Sequence, residues 1–328
     1  MVFFFSEFII LELHGLLIIN DFNNVLNTLF QFKEYKKELF YWKLNETYSF
    51  KYYSDVIFYN YINSKMLNVN KQLSITLEKN KKIKGVGVKI LGNCHTLNLS
   101  NCINITDKTL RYLGKVHTLN ISHCDKITDE GIKHLGKVHT LDLSNCEKIT
   151  DEGVIYLGNI NTLILHCTNI TDKSVGFLGN IHSLNLYGCT GITDDNFRFL
   201  GNVHTLDLSW CENITDRCIR YLGTCHTLNI SFCDNITDDG IKHLGNVHTL
   251  DLRWCNHITD EGIKYLGNVH TLHLGWCKNI TDEGIKYLGN VHTLDLRYCN
   301  KITEEGLKYL GKVQALRLTQ KLSIKYIL

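Results

Sequence analysis

A Leu-Gly pair recurs at Leu91, Leu113, Leu135, Leu157, Leu178, Leu200, Leu222, Leu244, Leu266, Leu288 and Leu310, and every step is 22 residues except the 21 between Leu157 and Leu178. A fixed period near twenty means stacked supersecondary units, each burying its apolar face on its neighbours rather than in a separate core. The fullest copy reads LGNVHTLDLRWCNHITDEGIKY, from Leu244 to Tyr265. Its stretch V-H-T-L-D-L-x-x-C alternates apolar and polar residues, the period of a strand with one buried face. Leu250 and Leu252 are expected to point inward, and Thr249, Asp251 and Arg253 outward. Thr259 is then placed to cap a short helix whose first turn carries Asp260 and Glu261, favourable at the positive end of the helix dipole. Gly267 is the expected left-handed stop, which leaves room for about two turns of helix.

The pattern L-x-x-L-x-L-x-x-C-x-x-I, and C-x-x-I-T-D-x-G as in Cys277 to Gly284, resembles the cysteine-containing class of the leucine-rich repeat. That resemblance implies an α/β solenoid, or horseshoe, with a parallel concave β-sheet and short convex helices. Eleven strands are readable, centred near Leu97, Leu119, Leu141, Leu163, Leu184, Leu206, Leu228, Leu250, Leu272, Leu294 and Leu316. A degenerate twelfth unit precedes them, with Ile75, Leu77, Asn80 and Ile83 one period upstream of Leu97, Leu99, Cys102 and Ile105. The expected organisation is an N-terminal helical module over residues 1–62, a capping repeat over 63–90 and regular repeats over 91–328. At about 4.8 Å per strand the sheet would run roughly 50 Å, ample for a protein partner.

Charge is nearly balanced, 35 Lys and Arg against 33 Asp and Glu, so no strong field steers the chain to nucleic acid or an anionic membrane. Ten of the 13 cysteines hold one repeat position: Cys102, Cys124, Cys146, Cys167, Cys189, Cys211, Cys233, Cys255, Cys277 and Cys299. Constant spacing marks a ladder of small buried hydrophobes rather than disulfides, in keeping with a reducing compartment. Asn104, Asn169, Asn213, Asn235 and Asn279 each open an N-x-T sequon inside a tight turn, where glycans would obstruct stacking. The apolar start MVFFFSEFIILELHGLLII is interrupted by Glu7 and Glu12 and has neither a basic n-region nor a small-residue cleavage site, so it reads as a packed helix. A cytoplasmic location is expected.

Positions that vary between copies carry the functional information. The residue before the ladder cysteine is Asn101, His123 and Asn145 early, then Trp210, Phe232, Trp254, Trp276 and Tyr298. Asp207, Asp251, Arg253, His273, Asp295 and Arg297 stand beside these aromatics. Large rings with few rotamers, flanked by charges of both signs, are what a protein-binding hot spot requires. The alternative reading is that the same rings fold over the core edge and stack on one another. A second ladder, His95, His117, His139, His182, His204, His226, His248, His270 and His292, invites a metal or pH-sensing reading, yet one identical residue in almost every copy fits a duplicated structural role better. Protonating such a row is mutually unfavourable, so stability should weaken below the His titration range. The 21-residue copy has lost a residue between Leu165 and Cys167 and carries Asn161 and Ile164 at the usual His and Asp or Asn positions.

No H-E-x-x-H, nucleophile elbow, P-loop or kinase signature occurs. Gly85-Val86-Gly87 lacks a phosphate-binding helix, and pairs such as Asp151-Glu152 sit at helix starts. Neither catalysis nor a cofactor or metal is expected.

Upstream of the repeats, Glu38 to Ile62 is dense in aromatics. Ile9, Ile10, Leu13 and Leu17 line one side of a short helix, and Asp21 and Phe22 open a second through Val25, Leu26 and Phe32. The arrangement resembles a divergent F-box, with Ser6 at the customary proline and His14 at an apolar position. By that resemblance Ile9, Ile10, Leu13, Leu17, Phe22, Val25 and Leu26 would contact the Skp-type adaptor of a cullin-RING ubiquitin ligase. The other reading is a helical cap on the first repeat. An F-box before cysteine-containing leucine-rich repeats is a familiar pairing, and the Pro-free, Asn-, Ile-, Lys- and Tyr-rich composition is similar to such proteins of giant DNA viruses.

Overall fold

The computed structural model describes residues 41–44, 46–54, 60, 72–83, 85–166 and 169–319. One parallel sheet runs through them in strict sequence order, from β1 (Tyr41–Leu44) and β2 (Gln72–Thr76) to β3 (Thr96–Asn98) and on to β13 (Ala315–Arg317). From β3 onward each strand is three residues long and centres on the expected leucine, and the degenerate unit supplies β2, where Ile75 pairs with Leu97. The register has no offset, so Thr249 faces Thr227 and Thr271, and Leu250 faces Leu228 and Leu272. Tyr41 pairs with Gln72, so the sheet reaches back past residue 63. The helix Glu46–Ser54 follows β1 and buries Tyr52 completely.

Every regular copy hides the same apolar set. In one copy this is Val247, Leu250, Leu252, Cys255, Ile258, Ile263 and Leu266, all at zero exposure. A lone copy would leave that set wet, at about 1.5–3 kcal/mol for each large side chain, so stacking holds the fold together. The convex elements are shorter than expected: most copies form a four-residue helix such as Asp260–Ile263, little more than one turn.

The glycine of each Leu-Gly pair is not a left-handed stop. Gly158, Gly289 and Gly311 all have φ near −60°. Except at Gly311, where a Cβ meets nothing within 4 Å, side chains are excluded there because the next repeat passes too close: a Cβ on Gly245 would lie 2.6 Å from the Tyr265 carbonyl oxygen, and one on Gly267 2.6 Å from that of Tyr287.

The helix-start aspartates also do more than cap. Asp216 accepts the backbone N–H of Thr237 at 2.8 Å and its hydroxyl at 2.6 Å, tying one repeat's helix to the cap of the next. Thr237 Oγ1 in turn accepts from the Asp239 N–H as the N-cap. The motif's glycine makes room for that carboxylate, since a Cβ on Gly240 would meet Asp216 Oδ1 at 2.4 Å. Where Asn196 takes this glycine's place the residue turns left-handed, φ 66°, and a 3-10 segment, Phe197–Asn202, replaces the helix.

Candidate functional site

The exposed sheet face carries three parallel columns. The first is the histidine row at the strand entrances. Its rings stack with centroids 4.3–4.5 Å apart, in the runs His95 to His139 and His182 to His292, broken at Asn161. Nδ1 of His204, His226, His248 and His270 each lies 3.3 Å from the hydroxyl of the following Thr. Parallel rings project their ring-nitrogen lone pairs side by side rather than toward one point, and no group of three or more potential ligands among the described residues is arranged to hold a metal. Desolvation by the adjoining groups, followed by the charge of neighbouring imidazoles, lowers the pKa of His95, His117, His204 and His248.

The last column is the aromatic row, just beyond the strand ends. Trp210, Phe232, Trp254, Trp276 and Tyr298 form one continuous stack with centroid spacings of 4.5, 5.5, 4.3 and 4.0 Å and planes within 20° of parallel. The rings therefore do pack on one another, yet the stack is not sealed: Trp210 and Tyr298 are exposed, and the three between them are half-buried.

Their backbone was not legible in advance. All five adopt left-handed φ, from 61° to 67°, as do Asn101, His123 and Asn145 at the same position in earlier copies. The kink aims the N–H at the next repeat, as when Trp276 donates to the Arg297 carbonyl at 2.8 Å. Asn and His tolerate this conformation, whereas bulky aromatics are disfavoured in it. The early Asn and His were the available signal.

Between these columns lie the polar residues of the sheet face. In ordinary copies a serine donates to the Asp or Asn two residues earlier, as Ser209 does to Asp207 at 2.6 Å and Ser231 to Asn229 at 2.7 Å. In two later copies arginine replaces that serine. Arg253 grips Asp251 through Nε, 2.9 Å from both carboxylate oxygens, and Nη2, 2.6 Å from Oδ2. Arg297 holds Asp295 in the same way. Asp251 and Asp295, expected to face solvent, are buried under these guanidinium groups. Burial works to raise the Asp295 carboxyl, but hydrogen bonds and charge from Arg297 outweigh it, and its pKa lies below the usual carboxylate value. Between the two clamps His273, with Nδ1 3.9 Å from Asp295 Oδ2, has a lowered pKa because burial outweighs the pull of Asp251 and Asp295.

The structure thus brings Trp254, Trp276, Tyr298, Asp251, Arg253, His273, Asp295 and Arg297 together over β10 (Thr249–Asp251), β11 (Thr271–His273) and β12 (Thr293–Asp295). Trp210, Phe232 and Asp207 continue the same face toward the N-terminus. Ile9, Ile10, Leu13, Leu17, Phe22, Val25 and Leu26 lie outside the described residues.

The other repeated polar groups are occupied by stacking. Nine ladder cysteines, Cys102 to Cys146 and Cys189 to Cys299, are buried, each Sγ donating to a carbonyl of the preceding repeat at 3.1–3.6 Å; Cys167 lies outside the described residues. The sequon asparagines Asn104, Asn169, Asn213, Asn235 and Asn279 spend their amides on carbonyls of the preceding repeat. Asp151 serves the cap of the next repeat: burial would raise its carboxyl, but hydrogen bonds from Ser174 and Thr171 hold it low. Gly87 lies against the Tyr53 hydroxyl, within a 3-10 segment rather than a phosphate loop. One feature went unread: Tyr156, Phe177, Phe199, Tyr221, Tyr265, Tyr287 and Tyr309, each just before a Leu-Gly pair, form a ridge of rings 44–56% exposed. Its signal was the recurrent Tyr of I-K-Y-L-G.

The Leucine Rich repeat family matches the chain at residues 115–136, 137–158, 202–222, 226–245, 246–267, 268–289 and 290–311. Among solved structures, the chain is similar to an internalin, InlF, of Listeria monocytogenes at 20% identity, covering 75% of this chain and 87% of that one with a TM-score of 0.47. It is similar to a chain of the yeast Rad7–Elc1 complex at 14% identity, covering 94% and 96%, with a TM-score of 0.47. A chain of the Drosophila Toll–Spätzle complex matches at 15% identity, covering 76% of this chain and 38% of that one, with a TM-score of 0.53. No curated protein matches in sequence. The chain carries leucine-rich repeats, and its fold is the leucine-rich-repeat solenoid. No helix among the described residues is long and apolar enough to cross a membrane.

Proposed function

We propose that the chain is a protein-recognition subunit that holds a partner against its exposed sheet face, centred on the stack from Trp210 to Tyr298, with Asp207, Asp251, Arg253, His273, Asp295 and Arg297 orienting the contact. One observation carries this reading: five aromatics occupy left-handed backbone where the earlier copies use Lys79, Asn101, His123, Asn145 and Gly188. That conformation costs a bulky residue about 1–3 kcal/mol. A stacked pair recovers only about 0.5–1.5 kcal/mol. Fold stability alone is a weak reason for the exchange, whereas rings ordered in advance favour binding because little freedom is lost on contact.

The test replaces Trp254 and Trp276 with Asn, the residue already used at positions 101 and 145. Loss of the proteins captured by wild type, with the stack still folded by circular dichroism, is expected. Undiminished capture refutes the reading.

The finer proposal is a substrate receptor of an SCF-type cullin-RING ubiquitin ligase. Residues Ile9, Ile10, Leu13, Leu17, Phe22, Val25 and Leu26 would dock on a Skp-type adaptor, and ubiquitin transfer would belong to other subunits, so this chain needs no catalytic residue. Its support is the F-box-like sequence. Wild type should retain a purified Skp-type adaptor and Leu17→Asp with Val25→Asp should not; failure of wild type, where an accepted F-box protein succeeds, defeats the ligase role. The rival, a scaffold whose N-terminus caps the solenoid, is favoured by one observation: β1 joins the sheet and the following helix buries Tyr52. Under that reading, removing residues 1–62 exposes the first repeat and lowers the melting temperature without any adaptor being involved.

A further inference from the structure

The sheet face divides by charge along its length. Between the histidine column and the aromatic column, the copies from His95 to Phe232 carry Asp142 and Asp207 and neither Lys nor Arg, whereas Arg253, Arg297 and Arg317 belong to the last strands. At Asp207 the carboxylate is only partly satisfied. Its Oδ1 accepts the Ser209 N–H at 2.9 Å and the Ser209 hydroxyl at 2.6 Å, while Oδ2 has, among the described residues, only a long contact of 3.4 Å from Asn185 Nδ2.

Three residues on, Trp210 ends the aromatic row. Phe232 covers one face of its indole, with centroids 4.5 Å apart. On the other side the preceding copy places Gly188, which takes the same left-handed backbone, φ 65°, but supplies no ring. His166 borders this place, its Nε2 3.1 Å from where a Gly188 Cβ would stand, but it spends its ring on a T-shaped pair with Tyr187 at 4.7 Å. Trp210 accordingly keeps 41% exposure, whereas Phe232, Trp254 and Trp276 are half-buried. The open indole face is a flat platform beside an unmatched carboxylate.

Such a surface selects a flat cation. The face of a Trp ring attracts positive charge, and a guanidinium lies flat on it while its N–H groups, in the plane, remain free to donate. The later copies show how a carboxylate at this strand position is met. Asp251 and Asp295, at the place of Asp207, each receive the guanidinium of the arginine two residues on, with Nη2 2.6 and 2.5 Å from Oδ2. Beside Asp207 that place is held by Ser209, so the cation has to come from another molecule.

We infer that Trp210 and Asp207 form a docking site for an arginine side chain of a protein partner, its guanidinium laid on the open indole face with N–H groups turned toward Asp207. Lysine fits less well, because its ammonium has no plane to stack and holds its water more tightly. This inference rests on the protein-recognition reading and names what is recognised at the N-terminal end of the aromatic row.

The test is selection from a random displayed-peptide library on the full chain, in parallel with Trp210→Asn, Asp207→Asn and the Trp254→Asn, Trp276→Asn pair. Asn already stands at the first two positions in other copies, as Asn145 and Asn229, so both single variants keep the fold, which circular dichroism checks. Wild type should enrich peptides with Arg at one fixed position, and both single variants should lose that preference. In titrations of the best synthetic peptide, Arg→citrulline keeps the planar shape and removes the charge. It should weaken binding to wild type about tenfold and to Asp207→Asn less than about threefold. Arg→Lys should cost about fivefold on wild type and less than about twofold on Trp210→Asn. Peptides that need Trp254 and Trp276 but show no arginine preference overturn the arginine site alone. Lysine binding as tightly as arginine overturns the stacked guanidinium. Absence of any enrichment on wild type counts against both the arginine site and the recognition reading.

Discussion

Gly245 and Gly311 occupy the same position of the repeat, each following the leucine of a Leu-Gly pair, but they meet different surroundings. A Cβ on Gly245 would come 2.6 Å from the Tyr265 carbonyl oxygen, whereas one on Gly311 meets nothing within 4 Å. Gly311 has φ −60°, which alanine adopts freely, and no left-handed φ is found at Gly245. If the glycine were present for conformational freedom, both Ala substitutions would cost alike. Close approach predicts opposite signs. At Gly245, restoring ordinary contact at 3.4 Å or more requires the two repeats to move apart by most of an ångström. Overpacking of that kind costs about 1–3 kcal/mol, and a gap of 0.5–1 Å forfeits a quarter to a half of each dispersion contact along the junction. At Gly311, alanine only restricts the unfolded chain and should stabilise by about 0.4–1 kcal/mol. Gly245→Ala should therefore fall below Gly311→Ala by about 1.4–4 kcal/mol. Urea unfolding followed by tryptophan fluorescence, with amide hydrogen exchange to localise the loss between Leu244 and Tyr265, checks this. Equal destabilisation of the two variants refutes the close-approach account.

Stability should also depend on pH. The pKa values of His95, His117, His204 and His248 are depressed by desolvation and by neighbouring rings, so the unfolded chain takes up protons first as pH falls. Their contribution is intact above about pH 6.5 and is lost as pH drops through that value toward the folded pKa values; the melting temperature should fall from pH 7.5 to 5.5, and His204→Asn with His248→Asn should flatten the slope. Thr237→Val removes both the cap on Asp239 and the donor to Asp216, and should cost about 1–2 kcal/mol in urea, while Thr237→Ser should cost less than half of that. Burial pushes the Cys146 thiol to about 11 and Cys255 to about 12, so at pH 8 both should react with a disulfide reagent at least about a hundredfold more slowly than free cysteine. Fast modification of either in the native chain would contradict the ladder.

Strand positions, inward leucines and buried cysteines were legible because they recur with one period, and a buried face tolerates no slip in a period-two strand. Two things were not. The junction glycines and the left-handed position before each cysteine depend on the adjoining repeat, which no single copy describes; Gly267 was assigned a local role although its constraint lies across the interface at Tyr287. The candidate site was half readable. Trp254, Trp276 and their charged neighbours stood out as departures from the common pattern, but alternation alone placed Asp251 and Asp295 in solvent. Their burial under Arg253 and Arg297 arises from side chains folding back across the sheet, which periodicity does not record.

The register without offset has a consequence for how the chain finds its fold. When Thr pairs with Thr and Leu with Leu at most junctions, a strand that skips a neighbour and docks one place further meets an almost equivalent surface, and the energy gap that normally rejects such an arrangement is small. The copy that is one residue short, with Ile164 on the sheet face and Asn161 interrupting the imidazole column, then acts as a notch on an otherwise unmarked ruler. Assemblies displaced across it put unlike residues together and lose their degeneracy, so irregularity there supplies the addressing that perfect repetition removes.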